Sequence, residues 1–337
     1  MKIEFKPMNF IYGFGYYLIF YWRMLKMNEV CKLLGIKYPI VQGAMQEVAT
    51  AELAAAVSNG GGLGIIAAGG KTADQVREEI QKAKKLTKNT FAVNLMLMDP
   101  NTPEVVKVVI DEGVKVVTTG AGTPKPYMKD LKAAGIKVCP VIPNVKIAKK
   151  MEEMGADAVI AEGMEGGGHI GVLTSQTLWP QIADAVSIPL IAAGGIGDGR
   201  GVVSAFVAGA QAVQCGTIFS ISKESPVGDN WRKLVIDATD TSTIVAGATI
   251  KDASRIIKNN IASKLTELEL DQVSRDEFNS VMNEGLRNAV QKDDVEDGLV
   301  FSGQISGLIN ESLPAGEIVK KLMDEAQEVL DKKIELV

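Results

Sequence analysis

Short apolar runs alternate with longer segments of helical periodicity from Tyr38 onward. The runs have the length of strands, and glycine or proline separates each from the amphipathic segment beside it. Eight of them occur within about 180 residues, at 39–42, 62–66, 91–95, 114–118, 137–141, 158–161, 189–193 and 212–216. This alternation predicts an α/β fold in which a parallel sheet closes into a (β/α)8 TIM barrel. An open, doubly wound sheet is the alternative.

Glycine marks three of the predicted connections between a helix and the next strand. Gly135, Gly155 and Gly209 each follow a helix-like segment, and an apolar run begins within a few residues. Because glycine adopts the left-handed conformation that ends many helices, these connections are expected to be tight turns. Ligand chemistry is then expected at the opposite face, where the strands end and the strand-to-helix loops begin.

The chain divides into four predicted segments. Residues 1–26 contain half of the aromatic residues and are expected to be an extension outside the fold, with a membrane-touching anchor as the alternative. Residues 27–222 form the predicted barrel domain. Residues 223–297 are polar, with helix-like stretches at 250–264 and 276–288, and predict a smaller helical substrate or lid domain. Residues 298–337 are expected to pack back on the barrel through an amphipathic helix at 314–332.

Charge and cysteine content exclude several classes of function. The chain has 36 basic and 41 acidic residues, so its net charge of −5 gives no general attraction to nucleic acid. Cys31, Cys139 and Cys215 lack the spacing of zinc ligands, and two of them lie in apolar runs. We therefore expect neither a disulfide nor a metal site. We also expect a cytoplasmic protein without stable membrane association.

Two glycine clusters follow the last two apolar runs. Gly194 and Gly195 open a loop that leads into a helix, and Gly216 precedes Thr217. In barrels these two loops commonly bind phosphate, because backbone N–H groups and a helix N-terminus attract the dianion, and Thr217 adds a hydroxyl. The loops do not match the G-x-G-x-x-G fingerprint, so a tightly held mononucleotide is favoured over a classical dinucleotide fold. Two sharp turns without a ligand are the alternative.

The chain has a single histidine, His169, in its most glycine-dense stretch. Its imidazole exchanges a proton near neutral pH, and neighbouring glycines let the backbone approach a ligand closely. Further polar groups stand at predicted strand ends, with Asn94 inside an apolar run and Glu162 directly after another. A buried amide or carboxylate needs a polar partner, and a ligand could supply it. The alternatives are a histidine bonded to a neighbouring carbonyl and an amide satisfied by nearby backbone.

Taken together, the motifs resemble the FMN-dependent enoyl-acyl-carrier-protein reductase II family (FabK type), which is closely related to the nitronate monooxygenases. The resemblance extends from about residue 30 to the C-terminus. It is carried by YPIVQGAM (38–45), AAVSNGGGLG (55–64), VVTTGAG (116–122), EGMEGGGHIG (162–171), AAGGI (192–196) and QCGT (214–217). SGQISG (302–307) also looks more like the reductase than the monooxygenase.

The resemblance implies a cofactor, substrates and site residues. FMN would be bound tightly, NADPH or NADH would supply hydride, and an acyl carrier protein would present the enoyl thioester to an enzyme that is expected to be a homodimer. His169 would be the catalytic residue. The FMN site would comprise Gly43, Met45, Asn94, Gly167, Gly168, Gly194, Gly195, Gln214, Gly216 and Thr217. The mouth would be lined by Glu162, Ser302 and Gln304.

The motifs depart from the reductase pattern at one place, and they leave three competing functions open. Gln46 and Glu47 stand where such reductases often have an aromatic wall, which affects the expected pocket shape more than flavin binding. A nitronate monooxygenase would use the same histidine on the acidic α-proton or the nitronate anion, with oxygen reoxidising the flavin. The second competing function is a cofactor-free barrel isomerase or lyase for a phosphorylated metabolite. The third is a flavin- or phosphate-binding protein without turnover.

Overall fold

The computed structural model describes residues 28–332, so the predicted extension at 1–26 lies outside the described residues. Eight parallel strands form the centre of the fold, and the short β7 (Gly168–His169) lies outside this sheet. The eight are β1 (Ile40–Gln42), β2 (Gly64–Ala67), β3 (Phe91–Met96), β4 (Val116–Gly120), β5 (Lys137–Ile142), β6 (Val159–Glu162), β8 (Leu190–Ala193) and β9 (Ala212–Cys215). Each coincides with a predicted run to within two residues at either end.

The sheet closes on itself. The strand order is β1-β9-β8-β6-β5-β4-β3-β2, and a parallel bridge between Val41 and Leu63 joins the first strand to the last. The predicted TIM barrel is therefore confirmed, and the open sheet is excluded.

Helices alternate with these strands and cover the outside of the barrel. They are α1 (Glu29–Leu34), α2 (Ala51–Asn59), α3 (Ala73–Leu86), α4 (Thr102–Asp111), α5 (Lys125–Ala133), α6 (Val145–Glu153), α7 (Ser175–Ala183), α8 (Gly199–Val207) and α9 (Thr217–Ser220). Successive strand residues point to opposite faces, so one set packs under the helices and the other fills the barrel. The inner set includes Val41, Ile65, Ala92, Val116, Ile160, Ile191 and Ala212.

The end of the barrel where the strands begin is built for stability. Buried side chains of α1, Val30, Cys31 and Leu34, join the inner cluster. Asn28, just before α1, donates a hydrogen bond of 2.7 Å to the carbonyl of Gln211, which immediately precedes β9. Gly135, Gly155 and Gly209 have φ of +73°, +88° and +97°, as predicted for left-handed turns. A functional site is therefore expected at the opposite end of the barrel, where the strands finish.

Residues after the barrel contain strands as well as helices. The helix expected at 250–264 is wrong in its first half, because β11 (Ser254–Ile257) pairs antiparallel with β10 (Thr243–Ala246) on one edge and with β7 on the other. All four residues of β11 are buried, and partners on both edges satisfy the backbone, so tertiary pairing overrides local helical periodicity. We call β10, β11 and the helices α10 (Asp229–Ile236), α11 (Asn260–Leu270) and α12 (Arg275–Lys292) the lobe.

The helix predicted at 276–288 is confirmed inside α12. The helix predicted at 314–332 is confirmed as α13 (Ala315–Asp331), which follows a 3-10 helix at Gln304–Leu308. It packs on α8 and α2, and Glu325 accepts a hydrogen bond of 3.0 Å from the backbone N–H of Gly199 at the start of α8. Within residues 28–332, no helix is both long and apolar enough to cross a membrane.

The packing of α13 on the barrel can be tested with two leucines of this helix. Leu322 is fully buried, whereas Leu330 is 63% exposed. We expect Leu322→Ala to lower the free energy of unfolding by about 2–5 kcal/mol, because it leaves a cavity in the core. Leu330→Ala should change it by less than about 0.5 kcal/mol. Urea unfolding followed by circular dichroism measures both, and equal losses would contradict this packing.

Candidate active site at the barrel mouth

The loop after β8 carries the first predicted phosphate site. Gly194 and Gly195 have φ of +89° and +74°, a region that favours glycine. A methyl group on Gly194 would lie 2.7 Å from the carbonyl oxygen of Gly163, so this backbone approach also requires glycine. The loop leads into α8, whose N-cap Asp198 accepts hydrogen bonds from the N–H groups of Arg200 and Gly201. The first N–H groups of α8 therefore already donate to carboxylates of the chain, and the backbone of Gly194 and Gly195 is what this edge of the barrel offers to a phosphate.

The loop after β9 adds a hydroxyl. Thr217 begins α9, and its Oγ1 accepts a hydrogen bond of 2.9 Å from the N–H of Gly303, which leaves the hydroxyl proton available to donate elsewhere. Gln304 donates its N–H to the carbonyl of Glu165 at 3.0 Å. A methyl group on Gly167 would lie 2.7 Å from the nitrogen of Gly303. The predicted residues Gly167, Thr217 and Gln304 are thus brought together by backbone contacts.

Ser302 lies two residues before the 3-10 helix at Gln304–Leu308. It is fully buried, and its hydroxyl lies 2.7 Å from the hydroxyl of Ser306. This contact joins Ser302 to the 3-10 helix, and a place for Ser302 at the mouth stays a prediction. Gln304 is exposed and remains available at the surface.

The first barrel strand places Gly43 and Met45 beside the second glycine loop. Gly43 donates its N–H to the carbonyl of Cys215 at 2.8 Å, and a methyl group placed on Gly216 would find only the Met45 sulfur, at 3.9 Å. The space above Gly216 is therefore open. Glu47 follows in a turn with φ of +63°, a left-handed conformation that few residues other than glycine adopt.

Three polar side chains stand at strand ends with hydrogen-bonding capacity unused among residues 28–332. Asn94 on β3 donates to the Thr118 hydroxyl at 2.9 Å, but its carbonyl oxygen accepts no hydrogen bond. Gln214 on β9 is 9% exposed, and its amide makes no hydrogen bond to the described residues. Glu162 on β6 likewise has none, and burial raises the pKa of its carboxyl from 4.5 to about 7. Unsatisfied groups of this kind at one mouth indicate a polar ligand.

His169 lies on β7, at the border between the barrel and the lobe. Its residue pairs with Ser254 of β11, and its side chain is 58% exposed. Desolvation by the surrounding protein lowers the pKa of His169, the Asp252 carboxylate acts to raise it, and Arg275 acts to lower it. Phe301 stands 6.2 Å away, centroid to centroid. The lone imidazole is thus open to solvent rather than bonded to a neighbouring carbonyl.

The glycine-rich loop before His169 is fixed by two residues that the sequence did not single out. Glu165 accepts hydrogen bonds from the N–H and hydroxyl of Ser175 at the start of α7. Arg255 of β11 is 5% exposed and donates twice to the carbonyl of Met164, at 3.1 and 3.0 Å. The only signals in the sequence were an arginine inside an apolar run and a carboxylate among glycines. Together they hold the loop between barrel and lobe.

A family model described as nitronate monooxygenase matches residues 28–106 and 101–325, which is most of the chain. The chain belongs to the nitronate monooxygenase family. A probable nitronate monooxygenase from Staphylococcus aureus (strain MSSA476) is 32% identical over 356 residues, covering 92% of this chain and 100% of that protein.

Two further relatives have other names. The structure of FabK from Thermotoga maritima is 41% identical, covers 91% of this chain and 98% of that chain, and superposes with a TM-score of 0.88. A (3aS,4S,5R,7aS)-5-hydroxy-7a-methyl-1-oxo-octahydro-1H-indene-4-carboxyl-CoA dehydrogenase from Rhodococcus jostii (strain RHA1) is 40% identical over 203 residues. That match covers 60% of this chain and only 58% of the dehydrogenase.

Membership of the nitronate monooxygenase family implies an oxidoreductase that uses FMN. The residues at the mouth fit this cofactor. Gly194 and Gly195 present backbone without side chains, and Gly216 lies under open space, which suits a phosphate held by N–H groups. The unused amide groups of Asn94 and Gln214 suit the polar edge of the isoalloxazine ring. The assignment of each residue to the cofactor remains a prediction.

A matched pair of glycines tests the phosphate site. Gly194 and Gly155 have nearly equal φ, +89° and +88°, but Gly155 lies at the opposite end of the barrel with nothing within 4 Å of an added methyl group. Gly155→Ala should cost about 1–2 kcal/mol of stability, because it forces a left-handed residue, and Gly194→Ala should cost more, because its methyl group would also meet the carbonyl of Gly163. Only Gly194→Ala should weaken FMN binding, by about tenfold or more, in a flavin fluorescence titration. Equal affinities in the two variants would argue against the site.

The partly buried carboxyl of Glu162 predicts a pH-dependent stability. Because its folded pKa of about 7 exceeds the ordinary 4.5, ionisation destabilises the folded state, and this penalty grows from about pH 4.5 to pH 7 and is constant above. Glu162→Gln should therefore stabilise flavin-free protein at pH 8 relative to pH 5, by on the order of 1–3 kcal/mol.

Urea unfolding at both pH values measures this difference. Glu78→Gln is the control, since Glu78 is an exposed residue of α3. The expectation fails if the two variants show the same change between pH 5 and pH 8.

Proposed function

We propose that this protein is an FMN-dependent reductase of trans-2-enoyl thioesters that consumes NADPH or NADH. The substrate would be carried by an acyl carrier protein, as in the last step of the fatty-acid elongation cycle. In the overall reaction the C=C bond is reduced, with a hydride added at the β-carbon and a proton at the α-carbon, and the nicotinamide is oxidised.

The observation that carries this proposal is the similarity to FabK, 41% identical across 91% of this chain. This exceeds the 32% identity to the staphylococcal protein over a similar share of the chain. The carboxyl-CoA dehydrogenase relative supports the same substrate class, because its name also specifies a thioester.

The side chains at the mouth would have different roles around a bound FMN. The cofactor would supply hydride transfer from the nicotinamide to the β-carbon. His169 is the one imidazole of the chain, and its exposed ring would donate the proton to the α-carbon or hold the thioester carbonyl. The loops that contain Gly194 and Thr217 would bind the phosphate, and Asn94 and Gln214 would orient the ring. Glycine at position 195 would keep the same approach open to the phosphate.

Nitronate oxidation is the second candidate, and the family model and the full-length staphylococcal match favour it. In that reaction His169 would act on the α-proton or on the nitronate anion, with oxygen as the final oxidant. The cofactor-free isomerase is disfavoured by membership of a flavin family. The two flavin activities differ in the compound that reoxidises the reduced flavin, which would be the enoyl thioester in the reductase and oxygen in the monooxygenase.

Anaerobic flavin spectroscopy separates these activities. NADPH or NADH should bleach the bound FMN, and crotonyl thioester should restore its absorbance without oxygen. His169→Ala should keep FMN and bleaching but slow this reoxidation by about 10²-fold or more, since a positioned acid contributes about that factor. Bleaching of the flavin by a nitronate without NADPH or NADH, reoxidation by oxygen, and no response to the thioester would instead support the monooxygenase.

A further inference from the structure

Asp252 is a buried carboxylate of the lobe that the sequence did not single out. It lies in the loop between β10 and β11, and its side chain is 4% exposed. Arg275, the first residue of α12, binds both of its oxygens, with Nε 2.9 Å from Oδ2 and Nη2 2.8 Å from Oδ1. The backbone N–H of Asp252 donates to the carbonyl of Gly247 at 2.9 Å. A bidentate pair and a backbone hydrogen bond therefore hold this carboxylate in one orientation.

The carboxylate faces the imidazole of His169. The Nε2 atom of His169 lies 3.6 Å from Oδ1 of Asp252. Backbone pairing sets this distance, because Ser254 lies opposite His169 and Ile170 donates its N–H to the carbonyl of Ala253 at 2.9 Å. The separation exceeds a hydrogen bond, so the carboxylate acts on the ring mainly through its charge.

The charge of Asp252 persists at neutral pH. Burial alone would raise the pKa of this carboxyl, but hydrogen bonds from Arg275 and Asn279, with the charges of His169 and Arg275, outweigh burial and lower it. Asp252 and Arg275 are the charged groups among residues 28–332 that act on His169. The first favours the imidazolium and the second opposes it.

We propose that Asp252 is a positioning residue of the active site, which places a fixed negative charge beside His169 and stabilises its protonated form for donation to the substrate carbanion. This inference rests on the proposed function and deepens it. Arg275 fixes the carboxylate and keeps it ionised. Asp252 itself touches neither cofactor nor substrate, so its effect is exerted through the ring of His169.

A purely structural role is the competing explanation. The Asp252–Arg275 pair joins the β10–β11 loop to α12, and loss of the half-exposed Arg275 would leave the buried carboxylate without its charge partner, which is destabilising. Under that explanation Asp252→Asn and Arg275→Gln would have the same consequence, a less stable lobe. Under the proposal they act on His169 with opposite signs, because one removes a negative charge near the ring and the other removes a positive charge.

The single histidine makes this difference directly measurable. The FMN-bound protein is produced without a histidine tag and with ¹³C-labelled histidine. One ring signal in its NMR spectrum then reports the titration of His169. We expect Asp252→Asn to lower the pKa of His169 by about 0.5–1 unit, the part of an ion-pair shift that survives exposure to solvent. Arg275→Gln should raise it. Asp271→Asn, which changes an exposed lobe carboxylate, should leave it within about 0.2 unit.

The same proteins report on catalysis through the pH dependence of flavin reoxidation by crotonyl thioester. For Asp252→Asn the loss of rate at high pH should begin at lower pH, with FMN content and bleaching unchanged. If one variant fails to fold, the other still tests the sign of its shift against wild type.

No change of the His169 pKa in either variant, or shifts of the same sign, would overturn the proposal. Opposite shifts with no thioester turnover in wild type would support the pairing but refute the reductase function, so the two failures are distinguishable.

Discussion

The parallel hydrogen bonding of eight strands into a closed sheet is the constraint on which the rest of the structure depends. A parallel sheet points every strand the same way, so closure through Val41 and Leu63 gathers all strand ends at one mouth. Asn94, Glu162 and Gln214 are far apart in sequence but share this mouth for that reason alone. Side chains at the other end, such as those of α1, join the core instead. The division between stability and chemistry thus follows from topology.

Backbone contacts, more than side chains, shape the cofactor end of the mouth. Gly194 approaches the backbone of Gly163 so closely that it could not carry a methyl group, and Gly167 approaches Gly303 in the same way. Such contacts leave backbone without side chains at this edge of the barrel, which suits a ligand rich in hydrogen-bond acceptors. These contacts also explain why the glycine clusters could be recognised in the sequence, since the fold has no room for a Cβ atom at these positions.

Features that depend on residues close together in the sequence could be predicted, whereas features that depend on distant residues could not. Barrel strands and the glycine turns depend on local pattern and on a rule of topology, and the strand bounds were predicted within a residue or two. The strand at Ser254–Ile257 was missed because its partners lie on β7 and β10, and a helical periodicity in its neighbours concealed it. The contact between Ser302 and Ser306 was not predicted, because a lone serine in a sequence does not reveal its hydrogen-bond partner. Asp252 was overlooked because its two partners, one on β7 and one on α12, are brought together only by the folded lobe.

Proteins named FabK and nitronate monooxygenase are both similar to this chain, so we expect the choice of reaction to depend on groups that meet the substrate. Reduction of an enoyl thioester needs a protonated group beside the α-carbon, whereas removal of a proton from a nitroalkane needs a neutral base. Desolvation at the mouth disfavours the charged imidazole, and a fixed carboxylate offsets part of that cost. Because Asp252 comes from the lobe and His169 from a barrel loop that pairs with the lobe, the acid strength of the imidazole depends on how the two parts are joined. A lobe that shifts by about an ångström would therefore alter the chemistry without touching the flavin cradle.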